Sequence, residues 1–442
     1  MRKTSLDMTQ GEVLGALLAF SVPALIGNLL HQVYSLTDSI VVGRILGIEA
    51  LAAVGCTIPI ILLLASLMIG TNIGVGITLS QAFGAHDMDR MRRNFFNSLY
   101  LGLGISAFLA LFGTPLSGAL LRLLGTPEGP LLGATEYLRI NFLCSFCPMF
   151  YYLFSCAFRG MGDSRTDLYC LIVSVGMNVL LDIVFVAVFR WGIAGSAWAT
   201  ALAQLISAVF AAILLFRKYP VLRPGKDDLR PDGRLISRIA RLSVPIAAQS
   251  AFNNIGNIVA QGAVNLFGTV AMAAYTAAGR VGAFALMPLE TLGNTLSIYT
   301  GQNYGARKKD RIEEGKRVTL RLQLLMSSVL GLLLALFGRP ITRLFLEETT
   351  DELLCISYQY LLITAVPGVL AGLMFTYQQL LRGIGDTAAS MRGGVIQLAA
   401  KVAVIAIAAR VFGKLAFVWV AWPVSFAAAA IYLFLHYRRK AL

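Results

Sequence analysis

Long apolar runs recur along the whole chain at a spacing of roughly 35 residues, each long enough for a helix that crosses a bilayer. The chain has 442 residues, of which 57% are hydrophobic and 14% charged. Soluble domains carry about 25% charged residues, and β-barrel strands would be shorter with alternating polarity. We therefore predict an all-α integral membrane protein of about twelve transmembrane helices.

The predicted spans fall into two groups of six, separated by a polar segment. Boundaries assigned from a sequence are good to a few residues. The spans are 13–40, 50–80, 95–121, 132–157, 168–190, 193–216, 242–267, 272–302, 318–339, 353–379, 391–412 and 414–437.

The two groups are related by an internal repeat. The segment 81–90 (QAFGAHDMDR) matches 302–311 (QNYGARKKDR) at an offset of 221 residues. The segment 159–163 (RGMGD) matches 382–386 (RGIGD) at an offset of 223. A nearly constant offset between separate landmarks indicates duplication. We predict an N-lobe at 1–216, a cytoplasmic linker at 217–241 and a C-lobe at 242–442.

The distribution of Lys and Arg among the loops predicts the orientation of the chain in the membrane. The net charge of +14 is concentrated in alternate loops, as the positive-inside rule requires, so we expect no nucleic-acid partner. Six spans return the chain to the side on which it started, and both termini are therefore expected in the cytoplasm of a multi-pass inner or plasma membrane protein. Two parallel halves of this kind are a transporter architecture, with substrate bound between the repeats.

A carboxylate in the first predicted span is the first candidate functional group. Asp38 follows Tyr34 by four residues, which places both on one helical face. Charged groups inside membrane helices are costly and commonly mark ion or substrate pathways. The alternative is that Asp38 lies at a helix end, meets water and only orients the chain.

The fifth predicted span carries Asn178 and Asp182, which are four residues apart on one face. Together with Asp38 they would give the N-lobe two carboxylates and one amide, a set suited to a proton relay or a ligand site. The alternative is a structural polar network that braces two helices. We expect no bound cofactor and no metal centre, with H⁺ or possibly Na⁺ as the coupling ion at Asp38, Asn178 and Asp182.

The C-lobe has different chemistry at the matching positions. At the repeat offset, Asp182 corresponds to Ile405 and Asn178 to Lys401. Glu290 lies in the eighth predicted span, and we predict that it pairs with Lys401 because both are embedded in the membrane. Glu290 is also a candidate for substrate binding.

Several motifs together resemble one transporter family, the multidrug and toxic compound extrusion (MATE) transporters, over essentially the whole chain. No single motif is specific alone. The resemblance is carried by 38–44 (DSIVVGR), 49–53 (EALAA), 81–84, 302–305, the two RGxGD segments, 178–182, 192–195 (GIAG) and 199–200.

The resemblance implies twelve helices in two lobes around a V-shaped cavity. It also implies export of cationic or amphipathic compounds in exchange for protons or sodium. In proton-coupled members the positions matching Tyr34, Asp38, Asn178, Asp182 and Thr200 form the N-lobe site. Sodium-coupled members place acids on the seventh and tenth helices, where this chain has none.

We therefore expect a proton-coupled drug antiporter that works by alternating access, most simply as a monomer. A lipid or lipid-linked precursor flippase of related two-lobe architecture is the alternative, although it would be expected to carry a more cationic central cavity. We do not expect an enzyme, because three scattered histidines and no nucleophile–base pair leave no catalytic set.

Overall fold

The structure is a computed structural model, and helices make up most of the chain that it describes. The described residues are 6–225, 228, 230–344, 350–365, 367–408 and 414–440, without the side chains of 33–42, 44, 48 and 365. The helices are α1 (Val13–Leu46), α2 (Ile48–Gly84), α3 (Met88–Phe108), α4 (Thr114–Leu123), α5 (Glu128–Leu143), α6 (Phe146–Gly160), α7 (Ser164–Asp182), α8 (Gly192–Lys218), α9 (Gly233–Asn265), α10 (Thr269–Gly305), α11 (Lys309–Arg343), α12 (Asp351–Ala365), α13 (Gly368–Gly383), α14 (Thr387–Ile407), α15 (Leu415–Trp419) and α16 (Ala421–Lys440). Short π-helical turns follow α3 and α7, at Leu109–Gly113 and Ile183–Val188.

Within the described residues, nine helices are long and apolar enough to cross a membrane. The number rises to eleven if α5 with α6 and α12 with α13 are each taken as one span, bent by 46° and 45°. The remaining predicted span, 242–267, corresponds to the second part of α9, which ends at Asn265, and a series of amide side chains lowers its hydropathy. Polarity rather than length therefore separates α9 from the other spans.

The repeat is visible in the backbone as well as in the sequence. Gly162 and Gly385 have φ angles of 76° and 91°, in the left-handed region that glycine adopts without a steric penalty. His86 and Arg307, which match at an offset of 221, have φ angles of 55° and 58°. Matching positions in the two halves therefore end their helices with the same turn.

The aspartates of the two RGxGD segments cap the helices that follow. Asp163 accepts a hydrogen bond from the backbone N–H of Thr166 at 3.2 Å, and Asp386 accepts one from Ala389 at 3.1 Å. Each also binds a lysine near the end of its half: Lys218 lies 2.6 Å from Asp163, and Lys440 pairs with Asp386. These segments are therefore helix-capping turns, as their glycines predict.

Contacts divide the chain into two compact units. The first contains Val22–Ala247 with residues 6–7, and the second contains Met8–Ser21 with Ala248–Leu442. Met8–Ser21 is held in the second unit by several hydrogen bonds. Met8 N donates to Gln302 Oε1 at 2.9 Å, and Lys308 Nζ donates to the Thr9 carbonyl at 2.9 Å. The lobe boundaries predicted from the sequence, 1–216, 217–241 and 242–442, remain a prediction, because the two units are defined by contacts within the chain and not by membrane topology.

In the first unit, α2 approaches the start of α9 at two glycines spaced four apart. A Cβ atom at Gly70 would lie 2.4 Å from the backbone nitrogen of Ala247, and one at Gly74 would lie 2.8 Å from Ser243 Cα. Small residues at this spacing let two helix backbones come into direct contact. The segment between α8 and α9 also packs in this unit, because Arg92 Nε donates to Asp228 Oδ2 at 2.5 Å.

Candidate functional site

The predicted polar residues of the fifth span lie near the end of α7, which packs along α8 in the first unit. Asp182 is the last residue of α7, and the π-helical turn follows it directly. Gly195 of α8 faces that turn, since a Cβ atom there would lie 3.2 Å from the Phe185 carbonyl oxygen. The absence of a side chain at Gly195 therefore allows α8 to approach α7 closely beside the polar cluster.

Two of the predicted site residues contact each other directly. Asn178 Nδ2 donates a hydrogen bond to Thr200 Oγ1 at 3.2 Å, joining α7 to α8. Asn178 is 2% exposed, and Asp182, one turn further along α7, is 1% exposed. In the described part of the chain, no donor reaches Asn178 Oδ1. The end of α7 thus carries a buried carboxyl group one turn from a buried amide that is bonded to a hydroxyl.

The other two predicted N-lobe residues lie on α1, which is continuous from Val13 to Leu46. The side chains of Tyr34 and Asp38 lie outside the described residues. Helix α1 contacts α7 at Gly27, which precedes Tyr34 by seven residues. A Cβ atom at Gly27 would lie 3.3 Å from Leu171 Cδ2. Helix α1 is therefore a neighbour of the helix that carries Asn178 and Asp182.

Glu290 does not belong to this cluster. It lines a cavity of about 550 Å³ formed by residues of the second unit, together with Lys401. The hypothesis that the two side chains pair is wrong, because the ion pairs between described residues do not include one between Glu290 and Lys401. Lys401 Nζ instead donates to Asn257 Oδ1 at 3.2 Å and lies 5.0 Å from the ring centre of Trp422.

The aromatic wall of this cavity was missed from the sequence. Trp422 lies 5.9 Å from Tyr275 and 5.7 Å from Tyr360, measured between ring centres, and all three rings line the cavity. The repeat contained a signal, because Trp422 stands 222 residues after Thr200 and Lys401 stands 223 after Asn178. The Asn178–Thr200 contact of the first unit therefore corresponds to the Lys401–Trp422 contact of the second.

Comparison with known proteins identifies the family. The MatE family model matches residues 23–184 and again 245–408, which is one match for each half of the repeat. The chain belongs to the MatE family. The probable multidrug resistance protein YoeA of Bacillus subtilis is 31% identical over 430 residues, covering 95% of this chain and 92% of that protein. A protein named FAD transporter from Shewanella oneidensis is 27% identical over 333 residues, covering 74% of each chain.

Solved structures agree with the MatE assignment. The outward-facing structure of a multidrug resistance MATE family transporter of the MOP superfamily superposes with a TM-score of 0.92 at 23% identity, covering 100% of this chain and 98% of that one. The predicted all-α, multi-pass MATE fold with duplicated halves is thereby confirmed. The protein is a membrane transporter of the MATE multidrug efflux family.

Proposed function

We propose that the protein is a proton-coupled antiporter that exports cationic, amphipathic compounds by alternating access, with both termini in the cytoplasm. Asp38, Asn178 and Asp182 form the coupling site, and Tyr34 and Thr200 complete the substrate site. The observation that carries this proposal is the buried cluster at the end of α7, in which Asp182 follows the Asn178–Thr200 pair by one turn.

The environment of Asp182 supports an exchange mechanism. Asp182 is 1% exposed, and a carboxyl group with so little access to water binds a proton more readily than one in solvent, because desolvation disfavours the charged form. The Asn178 amide oxygen and the Thr200 hydroxyl are neutral acceptors that suit a cation without neutralising it. The same small cluster can therefore hold a proton or an organic cation, with Na⁺ as the alternative coupling ion.

The helix register supports including Asp38 in this site. Gly27 of α1 contacts Leu171 of α7, and each is followed after eleven residues by an aspartate, Asp38 and Asp182. Eleven residues make about three turns and about 16 Å of helix, so each pair keeps its helical face. The first and fifth spans cross the membrane in the same direction. Positions 38 and 182 should therefore lie at a similar depth in the membrane.

Coupling follows from competition for the same charge. A proton that neutralises the acids weakens their affinity for a cationic compound, and by linkage the compound weakens proton binding by the same factor. Uptake of the compound from the cytoplasmic side and protonation from the outer side then drive export. This order requires both carboxylates to be accessible to solvent in turn.

Everted vesicles with a preset pH gradient in sodium-free buffer test the proposal. Addition of a lipophilic cationic drug should collapse the gradient in the wild type and fail to do so in Asp38→Asn and Asp182→Asn. Asp310→Asn is the matched control, because Asp310 is an exposed acid near the start of α11, and it should behave like the wild type.

The other outcomes identify different functions. Drug transport that appears only after sodium is added would replace protons by sodium as the coupling ion. An anionic flavin belongs in the compound panel, because one relative is named an FAD transporter. The absence of any response to drug with either ion would refute drug antiport and favour the lipid or lipid-linked precursor flippase.

A further inference from the structure

The cavity of the second unit has a chemistry opposite to that of the α7–α8 cluster. Lys401 is 5% exposed, and Asn257 Oδ1 is the one acceptor among the described residues that its ammonium group reaches. The ion pairs of the described chain bring no carboxylate within 4.0 Å of Lys401. A buried ammonium group without a counter-ion destabilises the fold, so an anionic ligand beside Lys401 would be stabilising.

The remaining charged groups of the cavity do not remove this imbalance. Arg280 and Glu290 also line it, and both side chains are exposed. The described lining therefore carries two basic groups and one acid. An organic cation entering the cavity would meet this excess positive charge, and the face of Trp422, the best surface for cation–π binding, is already covered by Lys401.

The walls of the cavity determine what shape of ligand it fits. Tyr275, Tyr360 and Trp422 provide adjoining aromatic rings next to the Lys401 ammonium group. A cavity of about 550 Å³ lies within the size range of sites for small organic ligands, which commonly combine apolar walls with a few polar groups. A flat ring against these walls would bring an attached anionic group towards Lys401.

We infer that this cavity binds an organic anion that carries an aromatic ring, with Lys401 as the binding residue for the anionic group. Asn257 positions the ammonium group, since its amide oxygen is the acceptor that holds Nζ. The aromatic residues bind the ring. This site is separate from the proposed coupling acids, because all of its described residues belong to the second unit.

Two naphthalene probes of matched ring size test the inference with purified full-length protein in detergent. Naphthalene-2-sulfonate is the anion and 2-naphthylmethylammonium the cation. Isothermal titration calorimetry, with protein-free micelles subtracted, measures binding of each. The sulfonate should bind, and Lys401→Gln should weaken it about tenfold or more, the size expected for a hydrogen bond to a charged group. Lys401→Arg should retain most of the affinity.

The controls separate charge at this site from general effects. Lys309→Gln removes an exposed lysine of the same unit and should leave sulfonate binding unchanged. Glu290→Gln removes the opposing acid and should leave sulfonate binding equal or tighter. Asp182→Asn should also leave it unchanged, even where that variant abolishes drug-dependent proton movement, so failure of antiport and failure of this site are distinguishable.

Two results would overturn the inference. One is sulfonate affinity that is the same in Lys401→Gln as in the wild type, with both proteins monodisperse by size-exclusion chromatography. The other is tighter binding of the ammonium probe than of the sulfonate to the wild type. A thermal-shift comparison of the two probes on the wild type gives the second test without any variant, and greater stabilisation by the sulfonate is expected there.

Discussion

The contact between α2 and α9 leads to a prediction of stability that depends on one methyl group. A Cβ atom at Gly70 would lie 2.4 Å from the nitrogen, 2.5 Å from Cβ and 2.6 Å from Cα of Ala247. All three are atoms of the α9 backbone or its first side-chain carbon, so none can rotate away. Gly70→Ala therefore forces the two helices to separate.

The size of the effect follows from these distances. Ordinary van der Waals contact begins near 3.4 Å, and the closest atom must therefore move by about 1 Å. Inserting a methyl group into a packed contact typically costs about 1–3 kcal/mol. Alanine gains about 0.5–1 kcal/mol over glycine inside a helix, which offsets part of that cost. A matched glycine without neighbours is needed to remove this gain from the comparison.

Gly104 of α3 is that control, because it is exposed and a Cβ atom there would meet nothing within 4 Å. Thermal unfolding in detergent, followed by size-exclusion chromatography of the surviving protein, compares the two variants. Gly70→Ala should unfold at a temperature lower than Gly104→Ala by about 1–3 °C, because the unfolding entropy of a chain of 442 residues gives about 1 °C for each kcal/mol. Equal unfolding temperatures would refute the close contact between α2 and α9.

Two further predictions concern hydrogen bonds that the structure defines. Thr200→Val removes the acceptor of Asn178 and should lower the free energy of unfolding by about 1–3 kcal/mol, whereas Thr200→Ser should keep most of it, measured by the same thermal assay. At Asp386, burial would raise the pKa, but hydrogen bonds from Lys440 and His436 outweigh it and hold the pKa below its usual value of 3.8. Because the pKa of Asp386 is lower in the folded state than in the unfolded chain, the stability that the wild type has over Asp386→Asn should be full at pH 7. It should begin to fall as the pH drops below about 4 and be lost only below the folded pKa; a difference that does not change with pH would contradict this.

The parts of the fold that were predictable from sequence are those set by local backbone chemistry and by the repeat. The two RGxGD segments predict turns because glycine accepts a positive φ angle and aspartate caps a following helix, and Asp163 and Asp386 do so. These turns depend on residues that are close together in the sequence and not on which distant helices pack against each other. Asn178 and Thr200 were grouped only through the family resemblance, and their hydrogen bond is a finding of the structure.

The hydrogen-bond partner of Lys401 could not be predicted from local sequence features. Both Asn257 and Glu290 are polar groups in predicted spans, and the outcome depends on which helix lies beside α14 at that level. The packing of Met8–Ser21 in the second unit is similar, because its partners lie about 300 residues along the chain. Sequence periodicity carries no information about such distant contacts.

The comparison of the two halves indicates which property of the duplicated fold is free to change. Turns at matching positions keep their backbone angles, as His86 and Arg307 illustrate, because a helix end requires a particular conformation. The paired positions on the packed helices keep their contact but not their charge: Asn178 bonds Thr200 in one half, and Lys401 lies over Trp422 in the other. A contact between two helices constrains distance and shape, whereas the chemistry of the atoms that face a cavity is constrained only by what the cavity binds. The opposite polarity of the two sites is therefore best explained by different ligands, and a single cationic substrate class would leave Lys401 without a role.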